Sequence, residues 1–402
     1  MLLRIADVWE SRKDEFIAAV MHEGGGWFGK GVFEAGFVAE IFRTSASLCY
    51  QATGEILPSM DGKVSMATRW PLGVVGVISP WNMPGILTSR GYAAALAAGN
   101  TVVLKPSEDT PYAGGLFHAE ILEEAGVPPG VFNVVTCSRD SVGEVGDALI
   151  EDPRVKAVSF TGSTAVGRHI AAKCGAHLKK CCVELGGKDS MIVLEDADLD
   201  KAAEAANFGS FMHQGQVCMS TEKLLVHESI YEPFMKRFLA RAAKLRTGHV
   251  NDKSNVIGPL VNTRQAHRVK ALIDDAVSKG AHVELGGNAW ENFVEPTILT
   301  NIDRSMDIWH DETFGPVVMV TPFSTEDEAI ELNNDTEYGL TAAVWTANES
   351  RALRMAGRLE TGMVHINDQN INDEPHLPFG GVKASGVGRY GGRWSLDAFT
   401  EL

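Results

Sequence analysis

Apolar positions recur at helical spacing from the start of the chain: Leu2, Leu3, Ile5, Val8, Trp9, Phe16, Ile17, Val20 and Met21, with charges between them. This spacing predicts one amphipathic helix over 2–22. A second helix is predicted over 32–50. Between them, Gly24-Gly25-Gly26-Trp27-Phe28-Gly29-Lys30 satisfies G-x-G-x-x-G and most of a phosphate-binding P-loop. It follows a helix rather than a strand, and Gly31 stands where a P-loop needs Ser or Thr. The stretch therefore reads as a helix–helix loop. Residues 51–71 hold short β-like pieces with turn residues, ending at Pro71.

From Gly73 the pattern changes to strand then helix, repeated. Strands are predicted at 74–78, 101–104, 131–135, 157–160 and 180–184, with helices at 92–98, 113–125, 142–150 and 165–174. After Gly187 the cycle resumes. Strands are predicted at 190–194, 222–226, 282–285, 317–322 and 342–345, and helices at 199–214, 230–245, 263–279, 326–333 and 349–358. Such alternation predicts an α/β protein with parallel, doubly wound sheets covered by helices on both faces. Ligands then bind at the carboxyl ends of the strands. A second α/β domain begins near Gly187, with Gly186-Gly187 as the hinge. Residues 367–388 have little periodicity, and an aperiodic loop of that length is usually functional.

Composition narrows the class. The chain has 402 residues, 45% apolar and 22% charged, as expected for two or three globular domains. A net charge of −16 argues against a nucleic-acid footprint and against an anionic membrane surface. No apolar run reaches the ~18–20 residues of a membrane span, and no signal peptide is apparent. Six cysteines (Cys49, Cys137, Cys174, Cys181, Cys182 and Cys218) are too few and too irregular for a disulfide framework, so a reducing cytoplasm is expected. The histidines, including His213, His365 and His376, lack metal spacing, and no metal is expected.

The candidate chemistry centres on Cys218, in His213-Gln214-Gly215-Gln216-Val217-Cys218-Met219-Ser220, and on Glu184, in Val183-Glu184-Leu185-Gly186-Gly187-Lys188. A thiol and a carboxylate suffice for covalent catalysis followed by hydrolysis: the thiolate attacks a carbonyl, and the carboxylate later activates water. Four further stretches accompany them: Pro80-Trp81-Asn82-Met83-Pro84, Lys105-Pro106-Ser107-Glu108, Phe160-Thr161-Gly162-Ser163-Thr164-Ala165-Val166-Gly167, and Glu312-Thr313-Phe314-Gly315-Pro316. Their order, with 23 residues from Asn82 to Lys105 and 34 from Glu184 to Cys218, resembles the NAD(P)-dependent aldehyde dehydrogenase superfamily over essentially the whole chain. The runs 214–221 and 372–381 most resemble the benzaldehyde, vanillin and salicylaldehyde dehydrogenases.

The resemblance implies two doubly wound domains and a small β hairpin. Residues 1–50 and 72–186 would bind the cofactor. Residues 51–71 would form a bridging and oligomerisation hairpin, and 187–384 the catalytic domain. Residues 385–402 would return to the cofactor side. The family has several tens of residues before this start and about one strand beyond this end, which implies a short form or a fragment. Cys218 would be the nucleophile and Glu184 the base. The Asn82 amide would serve as oxyanion donor with the Cys218 N–H.

Lys105 is expected among both the catalytic and the cofactor residues. It would hold adenosine ribose hydroxyls with Glu108, whose charge favours NAD while leaving NADP possible. Gly162, Ser163 and Gly167 would form the pyrophosphate turn. Ser79, Trp81, Leu185, Gly186, Glu312 and Phe314 would complete the cofactor site. Arg90 would meet an aromatic substrate, with Leu87, Met212 and Phe379 as apolar walls. Partners are then a small-molecule aldehyde and further copies of the chain, as a homodimer or homotetramer. The rival within the class is a semialdehyde dehydrogenase using Arg90 for a distal carboxylate. The rival outside it is an inactive NAD-binding structural protein.

Overall fold

Two twisted sheets organise the chain in a computed structural model that describes residues 1–51 and 53–402. The first runs in the order Gly386–Val387, Lys180–Glu184, Val155–Thr161, Val74–Ile78, Thr101–Lys105, Phe132–Val134. The second runs His282–Leu285, Thr297–Thr300, Val317–Phe323, Thr221–His227, Asp189–Val193, Thr341–Trp345, Met363–Ile366. Each is parallel throughout except for one antiparallel edge strand, Gly386–Val387 in the first and His282–Leu285 in the second. The expected α/β class is therefore borne out. Residues 185–188 alone join Lys180–Glu184 of one sheet to Asp189–Val193 of the other.

Val75, Val102 and Leu104 are fully enclosed in the first sheet, and Ile192, Leu224 and Val344 in the second. Burying each such side chain stabilises the fold by roughly 1.5–3 kcal/mol relative to exposure. Strands buried on both faces carry continuous apolar runs, which is why they were legible.

Several elements differ from expectation. The predicted helix over 2–22 is two helices, Leu2–Ser11 and Lys13–Gly24, broken at Arg12 (φ −108°, ψ 13°). Arg12 leaves the helical path, and its guanidinium meets Glu15 and Glu120 at 2.6 and 2.8 Å. Asp14 and Glu15 then occupy the first turn of the second helix, where acidic groups suit the dipole. The helix predicted over 92–98 begins earlier, as Ile86–Ala97. The one predicted over 199–214 stops at Phe211, and Met212–Gly215 turns with His213, Gln214 and Gly215 at positive φ. A side chain at Gly215 would place Cβ 2.0 Å from the Gly315 carbonyl oxygen, so only glycine fits. Thr297–Thr300 and Met363–Ile366 are strands the periodicity did not reveal, each too short to show it.

Gly24-Gly25-Gly26-Trp27 does join two helices, with Gly25 in the left-handed conformation. Within the expected hairpin, residue 52 lies outside the described residues. Gly54–Leu57 and Ser65–Thr68 pair antiparallel there, and Ile56, Met60, Val64 and Met66 are exposed. In the C-terminal segment Gly386 pairs with Glu184 at the edge of the first sheet, and Thr400–Glu401 pairs with Trp70–Pro71 in a separate two-stranded sheet. Among the described residues no helix is long and apolar enough to cross a membrane.

Candidate active site

Register brings the strand ends of the first sheet level: Ile78 opposes Lys105 and Phe160, and Thr161 opposes Glu184. The segments leaving these ends carry Trp81 and Asn82, Glu108, Gly162 and Ser163, and Leu185 and Gly186. Most of them line a cavity of about 420 Å³, together with Cys218, Glu312 and Phe314 from the second half of the chain. Gln265, Arg268 and Tyr338 line it too; no motif had marked them. Gln265 donates to the Phe314 carbonyl at 2.8 Å, and Arg268 to the carbonyls of Thr313 and Glu312.

The turn 312–314 is clamped from beneath. Lys188 and Glu222 form a buried ion pair, and Glu222 accepts from the N–H groups of Thr313 (2.8 Å) and Phe314 (3.0 Å). Phe314 is held at φ 50°, and its ring meets Trp81 edge-on at 5.4 Å. Glu312 accepts from the Gly187 N–H at 3.0 Å. A Cβ on Gly186 would lie 2.6 Å from Glu312 Oε2, so the absence of a side chain there keeps the carboxylate against the backbone. Burial pushes the Glu312 carboxyl up to about 8, with Glu222 adding to the effect.

The cavity has an anion site at a helix N-terminus. The helix Thr164–Ala176 opens at Gly162-Ser163 with no side-chain cap on its first N–H groups, and such orphan donors favour an anion. Gly167 lets this helix close on Leu185, whose Cδ2 would lie 2.1 Å from an added Cβ. Through Ala165 the cavity adjoins a second, apolar one of about 350 Å³ between Ile78, Val142, Gly146, Val166 and Lys105. Its largely apolar lining suits a planar base. Lys105 lies at this end and does not line the Cys218 cavity, a difference from its expected catalytic place. It donates to the Pro106 carbonyl at 2.8 Å and stands 4.0 Å from Glu108. Glu108 in turn accepts from Arg139 at 2.9 Å. Ser79 is buried nearby with its hydroxyl unpartnered, and its N–H donates to the Lys105 carbonyl.

Cys218, Asn82 and Leu87 line both the large cavity and a narrower one on the opposite side. Asn82 Nδ2 donates to the Gln216 carbonyl at 3.0 Å, tying it to the cysteine loop. Its own turn is fixed by Glu34, which accepts from Gly85 N (2.7 Å) and Ile86 N (3.1 Å). Glu184 is 2% exposed, and neither of its oxygens has a well-aligned hydrogen-bond partner. Burial pushes its carboxyl up to about 8, outweighing the opposite pull of the Cys218 thiol and of Arg90. Burial also raises the Cys218 thiol well above its ordinary value, and the Glu184 charge adds to this. The thiol favours the carboxylate while the carboxylate's charge opposes the thiolate, so the pair is suited to sharing one proton.

The narrower cavity is lined by Leu87, Arg90 and Phe379. Met212, expected as a further wall, is buried but is not among the residues lining the cavity. Val217, Met219, Phe33, Phe37 and Ile371 line the cavity. Arg90 lies over the Phe379 ring at 4.1 Å and pairs with Asp373, a residue no sequence signal had singled out. Among the described residues no group of histidine, cysteine and carboxylate side chains could hold a metal.

The aldehyde dehydrogenase family profile matches residues 1–402. The chain belongs to the aldehyde dehydrogenase family. It is 46% identical to a benzaldehyde dehydrogenase of Bacillus subtilis (strain 168), covering 98% of this chain and 81% of that one. It is 43% identical to a vanillin dehydrogenase of Pseudomonas fluorescens, covering 100% of this chain and 83% of that one. Among solved structures, a salicylaldehyde dehydrogenase from Pseudomonas putida G7 complexed with salicylaldehyde superposes with a TM-score of 0.97. That protein is 42% identical, with 100% of this chain and 83% of that one covered. This aldehyde dehydrogenase is thus an NAD(P)-dependent oxidoreductase acting on the aldehyde group.

Proposed function

We propose that this aldehyde dehydrogenase oxidises aromatic aldehydes to the carboxylic acids, with Cys218 as nucleophile. The observation that carries this reading is the position of Cys218 where the 420 Å³ strand-end cavity meets a narrow one walled by Phe33, Phe37 and Phe379. The Cys218 thiolate adds to the carbonyl carbon, and Glu184 is positioned to take the thiol proton. The amide of Asn82 and the Cys218 N–H stabilise the negative oxygen that forms. NAD(P)+, when bound, accepts the hydride. Glu184, once the thiol proton has passed to water in the cavity it lines, takes a proton from the water that attacks the thioester, and the acid leaves.

Gly162, Ser163, Gly167, Leu185 and Gly186 shape the pyrophosphate end of the cofactor site, and Glu312, Trp81 and Phe314 the nicotinamide end. Ser79, Lys105 and Glu108 serve the adenosine half. Glu108 favours NAD, while Arg139 offsets part of its charge. Residues 1–50 and 72–186 act as the cofactor domain and 187–384 as the catalytic domain.

Arg90, the cation a semialdehyde dehydrogenase would need, is already paired with Asp373 in an apolar wall. Ring contacts worth about 1.4 kcal/mol give a factor of ten. The kcat/KM for benzaldehyde is therefore expected to exceed that for acetaldehyde by at least ~10-fold, followed as NADH formation. A better rate with acetaldehyde or succinate semialdehyde would overturn the aromatic assignment.

The exposed apolar face of the 54–68 hairpin supports assembly into a homodimer or homotetramer. Light scattering at micromolar concentration is expected to give a dimer or larger, and a stable monomer there counts against it. The six cysteines are all free, which supports a cytoplasmic setting.

A further inference from the structure

Among the described residues Arg90 makes a single side-chain hydrogen bond, from Nη2 to Asp373 Oδ2, and the two side chains are only 5% and 8% exposed. Both line the narrow cavity that ends at Cys218, whose other walls are largely apolar. The Phe379 ring supports the guanidinium from one side. Among the described residues, no hydrogen bond reaches Asp373 Oδ1 or leaves Arg90 Nε or Nη1, and none of these atoms is a sealed orphan. The pair that lines the cavity therefore keeps one acceptor and several donors without a protein partner.

We propose that the Arg90–Asp373 pair reads the ring substituent of the aldehyde, accepting a hydroxyl and rejecting a carboxylate. This rests on the aromatic-aldehyde reading above and makes Asp373 a specificity-determining residue. A hydroxyl is donor and acceptor at once, so a single group meets Asp373 Oδ1 and a guanidinium N–H together. A ring carboxylate only accepts. It satisfies Arg90 but sets a second negative charge against Asp373, within a buried wall where charges are little screened. Because Asp373 already balances Arg90, a third charge there has no counter-charge left, and an uncompensated buried charge is strongly unfavourable.

The test uses the full chain with saturating NAD+. It compares kcat/KM for 3- and 4-hydroxybenzaldehyde with that for 3- and 4-carboxybenzaldehyde, taking benzaldehyde as reference. In the native chain the better hydroxylated substrate is expected to exceed the better carboxylated one by at least ~10-fold. Asp373→Asn keeps an oxygen beside Arg90 and removes the charge; it is expected to lower that ratio by at least ~10-fold. Should this variant fail to fold, the double variant Arg90→Gln, Asp373→Asn replaces the ion pair by neutral amides and carries the same expectation. Equal rates on both substrate sets in the native chain, or an unchanged ratio in the variants, would overturn the proposal. If the native chain fails to oxidise benzaldehyde, the aromatic reading falls and this proposal with it. Ready benzaldehyde oxidation without substituent discrimination overturns this proposal alone.

Discussion

Cys218→Ala is expected to lower NADH formation from benzaldehyde by at least ~10³-fold, the scale seen when a covalent nucleophile is removed. Binding of NAD, followed through the fluorescence of tryptophans such as Trp81 in the cofactor cavity, is expected to persist. The two effects separate because only the reacting atom is lost while the strand ends and the 164–176 helix remain. Cys218→Ser is expected to behave alike, since a hydroxyl ionises far less readily than a thiol. No other cysteine lines either of the cavities that meet at Cys218, so none can substitute. Substantial turnover in either variant would remove Cys218 from the mechanism.

Glu184→Gln is expected to form NADH only up to about one equivalent per site, more slowly than the native chain because the thiol proton loses its acceptor, and then to turn over at least ~10²-fold more slowly, the usual reach of a general base. The acyl group stays on Cys218, where mass spectrometry detects it as a thioester. Normal steady-state turnover without a burst would exclude Glu184 as the deacylation base. The pH dependence follows with a definite sign. The Glu184 carboxyl is pushed up to about 8 by burial, so below that value it is protonated and cannot take a proton from water. Deacylation in the native chain is therefore expected to rise with pH through about 8. The Cys218 thiol, raised in the same direction, adds to the alkaline preference. In single-turnover measurements the Glu184→Gln chain is expected to lose the deacylation limb while the limb belonging to Cys218 stays. A deacylation rate independent of pH in the native chain would count against this assignment.

Local sequence determined the element types and the chemical cast. Strands enclosed on both faces read as apolar runs, and helices that cover them read at helical spacing, so the α/β alternation was legible without tertiary information. Cys218, Glu184, Asn82 and Glu312 stood in short motifs whose order resembles one family. The structure brings all four to one cavity, although Asn82 and Glu312 are far apart in the chain. Tertiary structure alone decided what depends on remote partners. The break at Arg12 answers to Glu120 on another helix. The turn at Met212–Gly215 depends on the Gly315 backbone and on Gln214 reaching Gly25 and Pro259. The strands Thr297–Thr300 and Met363–Ile366 are held by neighbours in the sheet rather than by their own length. Asp373 meets Arg90 across a separation of 283 residues, from a loop without periodicity. Periodicity reports only whether a face is buried; which charge faces which, and where two backbones touch, is set by packing between segments distant in sequence.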